Sequence, residues 1–155
     1  MSAEERLIEL GIELPTPVTP AGLYTSAVRV GNLLFLSGAG PVFSEGGFVQ
    51  GKVGGSIDLA AGRKAARLVG LQLLAVMHSE LGSLDAVERI VKLLGMVNCA
   101  PGFNNTPGVI DGCSELLIDV FGEAGRSARS AVGMAELPFD IAVEIEAIVE
   151  IREGC

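Results

Sequence analysis

The chain has 155 residues, 49% of them hydrophobic, and a formal net charge of -8. That length suits one domain with a sizeable core, and the negative balance sets it against phosphate backbones and anionic lipid surfaces. Cys99, Cys113 and Cys155 lack metal-ligand spacing, and their odd number argues against a complete disulfide framework, which favours a reducing, cytoplasmic compartment.

Residues 1–14 read as a short amphipathic helix with Leu7, Leu10 and Leu14 on one stripe, closed by Gly11 and followed by Pro15, Pro17 and Pro20. Glu4, Glu5 and Arg6 interrupt any basic start or apolar run of the signal-peptide kind. No apolar run reaches the roughly 18 residues needed to cross a bilayer. Residues 1–19 are therefore taken as an N-terminal extension and 20–155 as a single domain. From Ser26 the pattern turns extended, and Gly31-Asn32 between two apolar runs predicts a hairpin. A third short strand is expected over 47–50, after the turn signal Gly46-Gly47.

The strongest helical signal runs from Leu59 to Leu81, with Ser56 or Asp58 as N-cap and Gly82 just past its end. Arg63, Lys64 and Arg67 read as a solvated face of this helix. His78, the only histidine, suits its C-terminal dipole better than a metal or a catalytic site. A buried strand follows over 90–97, then a loop over 100–106 and a second helix from Pro107 to Gly122. Arg129 to Met134 and Ala142 to Ile151 are the last two strands, joined by a turn at Leu137-Pro138-Phe139-Asp140. The order βββαβαββ implies an α+β fold, with a mixed sheet carrying two helices on one face.

Strand alternation puts Val143, Ile145, Ala147, Val149 and Ile151 on one side of the last strand and Ala142, Glu144, Glu146, Ile148 and Glu150 on the other. The first set must meet the helices. The second reads either as a solvated face or as part of a site in which Arg129 approaches Glu144 or Glu146, as a surface ion pair or as a carboxylate-binding group.

Ala128-Arg129-Ser130-Ala131-Val132, Leu137-Pro138 and Val143-Glu144-Ile145-Glu146-Ala147-Ile148 resemble the C-terminal signature of the Rid (YjgF) family. Tyr24, Gly31-Asn32, Ser37-Gly38 and Pro41 match its N-terminal hairpin, and Val91-Lys92 its central strand, so the resemblance spans about residues 20–152. It implies a chorismate-mutase-like fold and a homotrimer with helices outside and a cleft between each pair of subunits. It also implies hydrolysis of reactive 2-imino and enamine acids to 2-keto acids and ammonia, with no metal or organic cofactor.

In that frame Arg129 grips the substrate carboxylate, Glu144 positions the attacking water and shuttles protons, Tyr24 lines the wall from a neighbouring subunit, and Ser37 and Gly38 lie near the cleft floor. The family's cysteine two residues after the arginine is Ala131 here, and its asparagine on the second helix aligns with Asp111, which adds negative charge near the substrate. The alternative is a non-catalytic homotrimer that binds small carboxylates through Arg129. Chorismate-mutase-like rearrangement rests on fold analogy alone, and ribonuclease activity fits poorly with the charge of -8 and one histidine.

Overall fold

The computed structural model describes residues 1–155. Its elements are α1 (Ala3–Leu10), β1 (Ala27–Val30), β2 (Leu33–Ala39), α2 (Leu59–Leu81), β3 (Val87–Asn98), α3 (Thr106–Phe121), β4 (Ala128–Met134) and β5 (Val143–Ile151). The five strands form one sheet in the order β1-β2-β5-β3-β4; β3 and β4 run parallel and the other neighbours antiparallel. This is the expected mixed sheet, with α2 and α3 on one face.

β5 lies between β2 and β3, and the expected alternation holds along it. Val143, Ile145, Ala147, Val149 and Ile151 are all buried, whereas Glu144, Glu146, Ile148 and Glu150 are half-buried or exposed. The buried set joins Val69, Leu73 and Met77 of α2 and Ile110, Leu116 and Leu117 of α3 in one core. Ala142, expected on the open face, is fully buried because it precedes the strand, where its carbonyl accepts from the Asn98 amide.

Glycine sets how closely the layers approach. A Cβ on Gly95 of β3 would stand 2.6 Å from Ile110, and one on Gly112 of α3 would fall inside the Arg63 carbonyl of α2. The two helices thus touch backbone to backbone near their N-terminal halves. Arg63 extends across that crossing to pair with Glu115, so of the three clustered basic residues only Lys64 and Arg67 are fully solvated. Asp58, not Ser56, caps α2, accepting from the Ala61 amide at 2.8 Å, and Gly82 ends the helix in the left-handed region.

Two further expectations need correction. The strand predicted over 47–50 is reduced to isolated bridges, Val42 with Phe48 and Gln50 with Ile141. Gly46 and Gly47 both have positive φ, and the chain then bends at Gly51, so no second consecutive pair forms. The element order is therefore αββαβαββ. In α1, Leu7 alone reaches the core; Leu10 is 43% exposed, since eight residues make only two turns before Gly11 turns the chain away.

Gly112→Ala is expected to cost about 3 kcal/mol or more, because the clash is with backbone that cannot rotate aside. Urea unfolding at constant m-value checks it, and a loss under about 1 kcal/mol would mean that the crossing is looser than described.

Candidate functional site

The residues singled out from the sequence fall into two groups at different places on the sheet. Tyr24, Ser37, Gly38 and Glu144 line one cavity of about 290 Å³, roofed by the segment 18–26 and bounded by the end of β2 and by α2. Arg129, Asp111 and Ala131 are not among its lining residues.

The first group assembles because β2 and β5 are neighbours. Past Leu36 the pairing shifts register, and Ala39 lies opposite Ile145. Gly38 then faces Glu144 so closely that a Cβ would stand 2.5 Å from the carboxylate oxygen Oε2. The Ser37 hydroxyl donates to the Thr25 carbonyl at 2.6 Å, and the Ser37 amide donates to the Ser26 carbonyl, which fixes the strap beside the strand end. The strap folds back on itself further along, where the Tyr24 hydroxyl accepts from the Ala21 amide at 3.4 Å. Burial pushes the Glu144 carboxyl above its ordinary pKa, and Glu146, two residues on along the same face, adds repulsion in the same direction. A carboxyl so placed is held nearer the pH at which it can both take and return a proton.

Part of the cavity wall is set by backbone in an uncommon conformation. Phe139 and Asp140 both have positive φ, 58° and 56°. This costs on the order of 1 to 2 kcal/mol per residue. Side-chain and main-chain bonds hold it: Gln50 donates to the Phe139 carbonyl at 2.7 Å, the Gly51 amide to the Asp140 carbonyl at 2.8 Å, and Asn98 to the Asp140 carboxylate at 3.0 Å. Lys52 in turn donates to the Asn98 side-chain oxygen at 2.7 Å and to the Ala135 carbonyl. The outcome is a Phe139 side chain 66% exposed on the cavity lining. Nothing in the sequence marked this clamp, since Gln50, Lys52, Asn98 and Asp140 converge only through the fold.

The second group lies on the helix side of β4. Arg129 donates through Nη1 to Asp111 at 2.8 Å and to the Ser114 hydroxyl at 3.0 Å, and through Nη2 to the Pro107 carbonyl at 3.4 Å. Asp111 and Ser114 are three residues apart on α3, and so share a helix face, a spacing visible in the sequence but not used. Ala131 follows on the same side of β4, and its carbonyl accepts from Thr106 at 2.9 Å. Cys113, beneath Arg129, is fully buried; burial pushes its thiol up to about 12, so it is no nucleophile at neutral pH.

Within one chain Arg129 does not approach Glu144 or Glu146, contrary to the ion-pair reading. Leu93 of β3 pairs with Arg129 on one side and with Ala147 on the other, while Met96 pairs with Glu144. Residues 144 and 147 differ by an odd number, so Glu144 and Arg129 stand on opposite faces, two strands and three residues apart, roughly 14 Å between backbones.

Residues 4–150 match the protein family described as "YjgF/chorismate mutase-like, putative endoribonuclease". Protein TCP17 of Trypanosoma cruzi is 45% identical over 147 residues, 94% of this chain and 92% of that protein. A 2-iminobutanoate/2-iminopropanoate deaminase of Dermatophagoides farinae is 30% identical over 142 residues, 91% of this chain and 95% of the relative. A solved structure of a "putative endoribonuclease" from Shewanella oneidensis superposes with a TM-score of 0.93 at 30% identity, covering 97% of this chain and 100% of the other. With the strand order, the helix layer and the C-terminal signature all in agreement, the chain belongs to the YjgF/chorismate-mutase-like family.

Proposed function

We propose that the protein hydrolyses reactive 2-imino and enamine acids to 2-keto acids and ammonia, in clefts shared by neighbouring subunits of a cytoplasmic homotrimer. The observation that carries this reading is the half-buried Glu144 carboxyl, of raised pKa, set beside Tyr24, Ser37 and Gly38 in one cavity. The deaminase named among the relatives supports the chemistry. No helix is long and apolar enough to cross a membrane.

The chemistry asks little of the protein. In a protonated imine, C2 is already electrophilic. Glu144 takes a proton from water as the oxygen bonds to C2, giving a carbinolamine; it passes that proton to nitrogen, then takes the hydroxyl proton as the C–N bond breaks, so ammonia leaves with the carbonyl restored. Arg129 binds the substrate carboxylate through its planar fork, turning part of that fork from Asp111.

A trimer joins the two halves. Arg129 and Glu144 stand on opposite faces of one sheet, so the cleft takes Arg129 from one subunit and Glu144, Tyr24, Ser37 and Gly38 from its neighbour. The uncovered face gives such an assembly its contact surface: Val28, Phe35 and Val132 are exposed there, at 53%, 40% and 38%. Light scattering that gave a monomer at micromolar concentration would remove the shared cleft.

Incubation with 2-iminopropanoate, generated in place by an amino-acid oxidase, tests the reaction. Glu144→Gln is expected to lower turnover 100-fold or more, within the range for general acid–base groups, while calorimetric affinity for 2-oxobutanoate holds or rises. Retained affinity without turnover in the wild type would favour the non-catalytic carboxylate binder. Arg129→Lys should weaken 2-oxobutanoate roughly ten-fold, about 1.5 kcal/mol, through loss of the two-point contact. Unchanged affinity there removes Arg129 from the site.

Glu144 also makes a statement about stability. Its pKa is higher folded than unfolded, so the folded state holds the extra proton, and stability falls as pH rises from the ordinary carboxylate value through the raised one. Glu144→Gln should therefore be more stable than wild type at pH 7, with the gap closing below about pH 4, where both states of the wild type are protonated. Thermal unfolding across pH 3 to 8 measures it; a gap that widens toward acid contradicts the burial described. Gly38→Ala should fold with a loss under about 1 kcal/mol, because the atoms in its way are the movable end of Glu144. Its turnover should nonetheless drop by roughly 100-fold through misplacement of the carboxylate.

A further inference from the structure

We propose, resting on the imine-hydrolysis reading above, that the cavity beside Glu144 is a side-chain subsite and that the preferred substrates are 2-imino acids bearing a large apolar side chain, branched or aromatic, rather than methyl or ethyl. The volume is the first reason. At about 290 Å³ the cavity is nearly twice the size of an apolar cavity of about 150 Å³ that holds a benzene ring. A methyl side chain would leave most of it to water.

The walls are the second reason. Val18, Val42, Phe48, Val76, Phe139 and Ile141 contribute hydrocarbon from the strap, the loop after β2, the helix α2 and the turn before β5. Water against such surfaces makes few hydrogen bonds, and its displacement by an apolar group strengthens binding. Gln72 of α2 also lines the space; it is 4% exposed, accepts from the Val18 amide at 3.3 Å, and its Nε2 donates to no group of the chain. One donor therefore remains for water or for a polar atom on a longer side chain.

Charge then fixes the direction of entry. Glu144 and Tyr24 are the only titratable residues on the lining, and no cation is among them. A carboxylate placed inside would meet the Glu144 carboxylate with nothing to balance it. The substrate carboxylate must stay at the mouth, where the cleft supplies Arg129, and the side chain at C2 points inward past Gly38. Because Gly38 lacks a Cβ, the Glu144 carboxylate lies directly against its backbone, where an added Cβ would stand 2.5 Å from Oε2.

The test measures binding of pyruvate, 2-oxobutanoate, 4-methyl-2-oxopentanoate and phenylpyruvate to the full-length protein by calorimetry. Turnover of the imines made in place from alanine, leucine and phenylalanine is followed alongside. At roughly four-fold per buried methylene, 4-methyl-2-oxopentanoate, three carbons longer, should bind about sixty-fold more tightly than pyruvate, and turnover efficiency should follow the same order. Val76→Phe narrows the cavity and should weaken phenylpyruvate at least ten times more than it weakens pyruvate; if this variant fails to fold, the wild-type series decides alone. Affinity that is flat or falling from pyruvate to phenylpyruvate, with imines still hydrolysed, overturns the subsite and leaves the reaction intact. No binding of any 2-oxo acid and no turnover of any imine overturns both.

Discussion

The structure depends on the alternation along β5. As the middle strand of five, β5 pairs with β2 and β3 and presents five consecutive odd-numbered residues to the helices. Each of these is essentially inaccessible, and together with the fully buried leucines and isoleucines of α2 and α3 they form the principal core. Because the side-chain period of a strand is two, the same constraint sends Glu144, Glu146, Ile148 and Glu150 to the opposite face. A slip of one residue would bury three carboxylates, so the register that makes the core also delivers Glu144 to its cavity.

The helix layer carries a matching constraint from the other side. Gly112 against the Arg63 backbone, and Gly95 beneath Ile110, bring α3 close to both α2 and the sheet. That closeness puts Asp111 and Ser114 within reach of Arg129, which would otherwise stand alone at the edge strand. The arginine is thereby held along α3, with donors already engaged by Asp111, Ser114 and the Pro107 carbonyl.

The turn between β4 and β5 has a different character. Phe139 and Asp140 occupy the left-handed region without being glycine, and the hydrogen bonds from Gln50, Gly51 and Asn98 offset that cost. The segment 47–50, too irregular to form a strand, supplies part of this clamp. Its failure as a sheet element and its use as a brace have one cause, the run of positive-φ glycines at Gly46, Gly47 and Gly51.

Most of the fold was legible in the sequence, because its signals are local. Alternation over residues 143–151, the Gly31-Asn32 turn with Gly31 at φ 62°, the uninterrupted helix ending at Gly82 and the Pro107 start of α3 each reflect backbone preferences or burial periods that act over a few residues. Family membership followed from the C-terminal signature. The site was legible only as a set of residue types. That Tyr24, Ser37, Gly38 and Glu144 share one cavity, that Arg129 turns away to Asp111, and that Gln72 and Phe139 join the lining depends on strand order, and strand order is set by long-range pairing. β5 is last in the chain but central in the sheet, inserted between β2 and β3, so β3 stands between Glu144 and Arg129, and the two side chains lie on opposite faces. No sequence spacing between positions 129 and 144 encodes that separation; the packing of a two-faced sheet against one layer of helices decides it.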